Sequence, residues 1–194
     1  MTLDPLYFFV FAGLFSPGPN VVMLITSGAR FGFRPTLPHI LGVAAGVGVT
    51  AGLTGLGLGA LLAGMPGLTF VLKCIAAAWI LWLAWRLFQS TRMAEVEGEA
   101  RPFTFVEAVL FQWVNPKVWA IAMAAAAGFA GAGGPMNEAV RLATAFAGIN
   151  LFVCLFWASA GHGLARVLRA PAIWRGFMTV MALALAASAL LIFR

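Results

Sequence analysis

Ser16-Pro17-Gly18-Pro19-Asn20 interrupts an apolar run that extends over residues 6–28. Two prolines flanking a glycine cannot continue a regular helix, because each lacks a backbone donor and restricts the residue before it. In water such a break is an ordinary loop. In lipid the freed backbone groups have no water to bond, so a break at membrane depth is tolerated only where protein or a wet cavity covers it. A second break, Asn115-Pro116-Lys117, lies at the same relative depth of a later apolar run. From Glu107 to Lys117 is ten residues, about 15 Å of helix and half of a hydrocarbon core about 30 Å thick. The rest of the chain has to enclose these two interruptions.

Six apolar runs are long enough to cross a bilayer: 6–28, 39–64, 68–89, 106–129, 138–160 and 172–193. With 62% hydrophobic and only 9% charged residues, the chain reads as an all-α membrane protein with six transmembrane helices. The connectors at 64–67 and 131–135 are tight turns rich in Gly and Pro. Only 90–102 is hydrophilic enough for a solvated loop, and it splits the 194 residues nearly in half. We therefore expect one integral membrane domain, 1–194, with a first repeat 1–89, a loop 90–105 and a second repeat 106–194. An odd number of spans per set sends the second set into the membrane from the opposite side. The result is two inverted three-helix repeats with helices 1 and 4 broken, an arrangement that places a transport site near the midplane.

The formal net charge of +6 would suggest nucleic acid in a soluble domain. Here the basic residues lie mostly in short connectors and report topology instead, so no nucleic-acid partner is expected. Arg30, Arg34, Arg86, Arg92, Arg101, Arg166, Arg169 and Arg175 fall on one side, against Lys73, Arg141 and Arg194 on the other. That asymmetry places the first, third and fifth connectors in the cytoplasm and both termini outside. The N-terminus carries Asp4 rather than a basic stretch, so the first run reads as a retained span. Cys74 and Cys154 sit inside apolar runs without a pairing pattern, and neither a disulfide nor a metal site is implied.

The second run carries Gly42/Gly46, Gly48/Gly52 and Gly55/Gly59 at small-xxx-small spacing, which lets helix backbones approach closely in lipid. Its simplest use is packing within the chain; a dimer face or a sliding helix would use the same pattern. Trp79, Trp82 and Trp85 recur every three residues on the third run and read as an interfacial belt.

Lys117 is the most informative single residue. A lysine at the centre of a spanning helix costs about 2.5–3.5 kcal/mol on insertion scales, so it should face the interior, and no carboxylate lies at its depth in any run. Three readings fit. The ammonium awaits a visiting anion such as the carboxylate of a small zwitterion, it bonds backbone carbonyls freed at the opposing break, or it carries a proton. Asn20 and Asn115 supply donors and acceptors beside the breaks, as ligands or as caps. The half-helix starting near Pro19 offers free N–H groups and a positive dipole end. The candidate substrate-binding set is therefore Lys117, Asn115, Pro116, Pro17, Gly18, Pro19 and Asn20. Asp4 and Glu107 begin the two broken runs, as helix N-terminal charges or as proton relays. His39 and His162 fall at cytoplasmic span ends, where they are interfacial or loop-bonded residues or titrate near neutral pH, and His39 joins Asp4 and Glu107 as a proton-coupling candidate. Lys73 lies where its ammonium can reach the interface.

A phosphate-binding glycine loop and a Gly-x-Ser-x-Gly elbow are both missing, and no cofactor is implied. An ATP-driven pump is excluded for this chain alone. An intramembrane enzyme would need a nucleophile and base at depth, and none is present. The alternatives are a secondary transporter, a passive channel or facilitator, and a non-transporting assembly subunit.

Pro17-Gly18-Pro19-Asn20, Arg30 with Gly32, Gly42/Gly46, Lys73 and Asn115-Pro116-Lys117-Val118-Trp119 together resemble the LysE-type (RhtB-like) translocator family of bacterial amino-acid exporters. The likeness covers essentially the whole chain in length and span order. It departs in the third run, where Cys74-Ile75-Ala76-Ala77-Ala78-Trp79 replaces a Gly-Ala-Ala-Tyr-Leu type of stretch. The resemblance implies a multi-pass protein of the bacterial inner membrane that exports amino acids or close derivatives by proton antiport. A homodimer is compatible with so short a chain.

Overall fold

The computed structural model describes residues 4–89, 101–129, 131 and 134–190. Among these every regular element is helical. Asp4 caps the first helix, α1 (Pro5–Phe15), by accepting from the Leu6 N–H at 3.0 Å. The Pro17-Gly18-Pro19 stretch ends it, and α2 (Pro19–Phe31) restarts with proline in its first turn, where a missing N–H costs nothing. The two pieces are bent by 60°. Gly32, at φ +88°, turns the chain directly into α3 (Phe33–Gly55). That helix starts six residues before the expected 39, and Pro38 is carried near its beginning.

A further interruption, not anticipated, follows Gly55. Gly57 adopts φ +101°, a left-handed conformation that glycine reaches without strain, and separates α3 from the short α4 (Leu58–Ala63). Next come α5 (Pro66–Gln89), α6 (Phe105–Trp113), α7 (Pro116–Gly128), α8 (Gly134–Leu164), a 3-10 turn (Val167–Arg169) and α9 (Pro171–Leu190). The solvated loop expected over 90–102 falls largely outside the described residues. Thr104 and Glu107 form a reciprocal capping box at the start of α6. Asn115 caps α7 and Pro116 occupies its first turn.

Four described helices, α3, α5, α8 and α9, are each long and apolar enough to cross a membrane, and the bent α1–α2 pair passes the same test when its two halves are taken together, as a broken span or a re-entrant loop. The chain is thus an all-helical, multi-pass membrane protein. The expected sixth span corresponds to α6 and α7, of nine and 13 residues, each too short to cross alone.

Glycine decides how the centre packs. On α3, a Cβ at Gly42 would lie 2.3 Å from the Phe105 carbonyl oxygen, and one at Gly46 2.9 Å from that of Val109, so this face is pressed onto α6. Gly48 and Gly55 meet Ala147 and Ala139 at 2.8 Å, pressing another face onto α8. The glycine ladder therefore packs helices within the chain. The main core, around Ile40, Val43, Val47, Leu142 and Phe146, lies between these helices. A second cluster joins α5 to α9 through Ile80, Leu83 and Leu185. Trp79, Trp82 and Trp85 are all exposed along α5.

Candidate functional site: two breaks joined by a lysine

The first break frees the carbonyls of Ser16 and Pro17, because both residues lie past the end of α1 at Phe15 and before the start of α2 at Pro19. Lys117, in the first turn of α7, reaches across and donates to both: to the Ser16 carbonyl, and to that of Pro17 at 3.3 Å. The close approach depends on Gly18, where a Cβ would sit 2.9 Å from Lys117 Cδ and 3.1 Å from Nζ. No carboxylate pairs with Lys117 among the described residues.

The second break is satisfied locally. Asn115 Oδ1 accepts from the Lys117 backbone N–H at 3.3 Å, and the Trp119 indole donates to the Trp113 carbonyl at 3.0 Å. A carboxamide pair then ties one break to the other. Asn20 Nδ2 donates to Gln112 Oε1 at 2.8 Å, and Gln112 Nε2 donates back to Asn20 Oδ1 at 3.2 Å and to the Ala108 carbonyl at 2.9 Å. Asn115 Nδ2 adds a longer contact to Gln112 Oε1 at 3.5 Å.

Between the breaks lies a hollow of about 10 Å³ lined by Leu14, Gly18, Asn20, Val21, Asn115, Lys117, Val118 and Asn150. That is room for about one water molecule, far too little for an amino acid. Its polar wall consists of one cation and three carboxamides. Asn150 comes from the unbroken α8 and is 2% exposed, and its Nδ2 has no hydrogen-bond partner among the described residues.

The structure thus brings Gly18, Asn20, Asn115 and Lys117 together, with Pro17 supplying a carbonyl and Pro19 and Pro116 starting the second halves of the breaks. Asp4, Glu107 and His39 lie elsewhere. Asp4 caps α1 and pairs with Arg141 at 3.3 Å, while Glu107 caps α6 and pairs with Arg101 at 2.7 Å. His39, which the sequence placed at a span end, lies inside the protein. Because α3 begins early, the ring is buried at 2% exposure against Phe103, 5.3 Å between centroids, and Nδ1 lacks a partner. Gln112 and Asn150 escaped sequence reasoning, although both are amides inside otherwise apolar runs and could have been found on that ground.

Apolar spans, discontinuous helices that meet at a half-buried cation, and a polar hollow between them are the features of a multi-pass membrane transporter, and the comparisons with known proteins agree. A family model described as LysE type translocator matches residues 11–194. The chain belongs to that family. The cysteine/O-acetylserine efflux protein of Salmonella typhimurium (strain LT2) is 28% identical over 171 residues, 87% of each chain. The protein of that name in Escherichia coli (strain K12) is 29% identical over 160 residues, 79% of each chain. No solved structure matches.

Proposed function

We propose that this protein exports a small zwitterionic amino acid or close derivative across the bacterial cytoplasmic membrane by proton antiport, with L-cysteine and O-acetyl-L-serine the first solutes to try. The relatives named for cysteine/O-acetylserine efflux support the substrate class. The observation that carries the reading is the Lys117 ammonium, held among the described residues by backbone carbonyls of the opposing break and by no carboxylate. These are neutral partners that a carboxylate can outcompete, because hydrogen bonds between two ionised groups are stronger. An entering zwitterion exchanges the pairs: its carboxylate takes Lys117, and its ammonium takes the Ser16 and Pro17 carbonyls. The uncapped start of α2 at Gly18 adds positive field on the carboxylate side.

Such an exchange requires the breaks to part, since the hollow holds about one water in this closed form. Parting comes from one repeat rocking against the other. In this reading α1–α2, α3 with α4, and α5 form the first of two inverted repeats, and α6–α7, α8 and α9 the second. The packing supports it: α3 lies on α8, α5 on α9 and α1 on α7, so each span of one set touches its counterpart. Of the three proton-coupling candidates, Asp4 and Glu107 are engaged in caps and ion pairs, which leaves His39 as the residue to test.

Proteoliposomes loaded with radiolabelled L-cysteine under reducing conditions test the proposal. Wild-type protein should drive efflux beyond the solute's own gradient when a pH gradient is imposed, and Lys117→Met should abolish it while still inserting. Flux indifferent to the pH gradient would leave a passive facilitator. A fully active Lys117→Met variant would remove the site assignment.

A further inference from the structure

Each polar side chain facing the hollow has an occupation except one. Lys117 joins the Ser16 and Pro17 carbonyls, Asn20 is paired both ways with Gln112, and Asn115 caps α7. Asn150 is 2% exposed, lines the same hollow, and leaves its Nδ2 donor without a partner. A buried donor with no acceptor is a standing cost to the empty protein, and a leucine of nearly equal size would avoid it. The two breaks cannot explain its presence, because α8 runs without interruption from Gly134 to Leu164 and has no freed backbone there to cap.

We propose that Asn150 is a specificity-determining residue of the transport site, donating from Nδ2 to one oxygen of the solute carboxylate while Lys117 holds the other. This rests on the export reading above. A donor orphan requires an acceptor, and the anionic end of a zwitterion is the strongest acceptor that such a solute carries. The arrangement also divides the work mechanically. Lys117 on α7 and Asn150 on α8 fall in the same repeat, whereas Asn20 on α2 falls in the other. The carboxylate thus stays with one repeat while the breaks part and close.

The test compares wild type, Asn150→Leu and Asn150→Ala, with L-cysteine as ligand and L-cysteinamide, which lacks the carboxylate, as competitor. Without ligand, Asn150→Leu should melt at or above the wild-type temperature, because only an unpaired donor is lost. In proteoliposomes its half-saturation for L-cysteine should rise at least tenfold, and L-cysteine should no longer raise its melting temperature. In wild type, L-cysteinamide should compete at least tenfold less well than L-cysteine. In Asn150→Ala that discrimination should fall at least threefold, with the remainder supplied by Lys117, whatever the variant's own melting temperature. A lowered melting temperature for Asn150→Leu with unchanged half-saturation would assign a structural role and overturn the proposal. Equal competition by L-cysteinamide in wild type, or discrimination undiminished in Asn150→Ala, would overturn it as well. Absence of L-cysteine flux through wild type would defeat the export reading itself, whereas normal wild-type flux with unaltered variants defeats this proposal alone.

Discussion

Gln112 shows how one side chain can hold two interruptions in register. Its carboxamide sits on α6, one turn before the second break, and exchanges two hydrogen bonds with Asn20, one residue past the first proline-bearing break. With no exposure to the surroundings, it also returns one bond to its own helix at Ala108. Replacing Gln112 by Leu keeps the volume and removes the partner, so both polar atoms of Asn20 lose their bonds at once. Unpaired buried amides cost about 1–3 kcal/mol, and interhelical polar pairs in membranes lie at the lower end of such values. We expect Gln112→Leu to lower thermal stability in detergent by about 1 kcal/mol. Simultaneous replacement of Asn20 by Leu should restore part of it, because no orphan then remains. Non-additivity of the two changes, read from melting curves of the single and double variants, checks the coupling. Independent, additive losses would mean that the pair does not join the breaks.

At the scale of elements, α2 and α8 approach most closely through glycine on both sides. A Cβ at Gly28 would fall 2.2 Å from the Ala158 carbonyl oxygen, and one at Gly161 would fall 2.2 Å from that of Ile25. Neither obstacle is a flexible side chain, so the helices themselves must separate. Gly148, on the same α8, has nothing within 4 Å of its Cβ position. Gly28→Ala and Gly161→Ala should therefore destabilise the fold and reduce transport, while Gly148→Ala leaves melting temperature and flux unchanged. If all three behave alike, the approach is not the constraint it appears from the geometry. The sequence disclosed much of this level: the break at 16–20 and that at 115–117 are both in the structure, and so is the packing use of Gly42, Gly46 and Gly48. It did not disclose the interruption at Gly57, because a single glycine in a glycine-rich run carries no local signal beyond its neighbours. It misjudged the start of α3 because Phe33-Arg34-Pro35-Thr36 reads as a polar connector. The turn at Gly32 nevertheless stacks those residues into helix, where Thr36 bonds the Gly32 carbonyl at 2.8 Å and shares a hydrogen bond with Ser27 at 3.0 Å. At the site, Lys117 stood out by its charge; Asn150 is visible in the sequence as an amide inside an apolar run, but its meeting with both breaks depends on α8 lying against them, and no spacing along the chain encodes that.

For the molecule as a whole, the proposed two-fold relation between the repeats has a consequence for which side of the membrane each connector faces. If the second set of spans runs opposite to the first, the segment before α8 and the turn before α9 must emerge on opposite faces, and the arginine asymmetry puts the latter in the cytoplasm. Met136 and Val167 mark these places and are 66% and 62% exposed, so a cysteine at either is open to a reagent. The native thiols complicate labelling little: Cys154 is buried, and the exposed Cys74 can be replaced. In a background with both changed to Ala, Met136→Cys should react with a membrane-impermeant maleimide in intact cells. Val167→Cys should react only after the cytoplasmic face is opened, as in inverted vesicles. Interchanged accessibilities would reverse the orientation and keep the repeats. Labelling of both positions from one face would be incompatible with the repeats, because α8, 31 residues long and without a break, could not then cross the membrane between them.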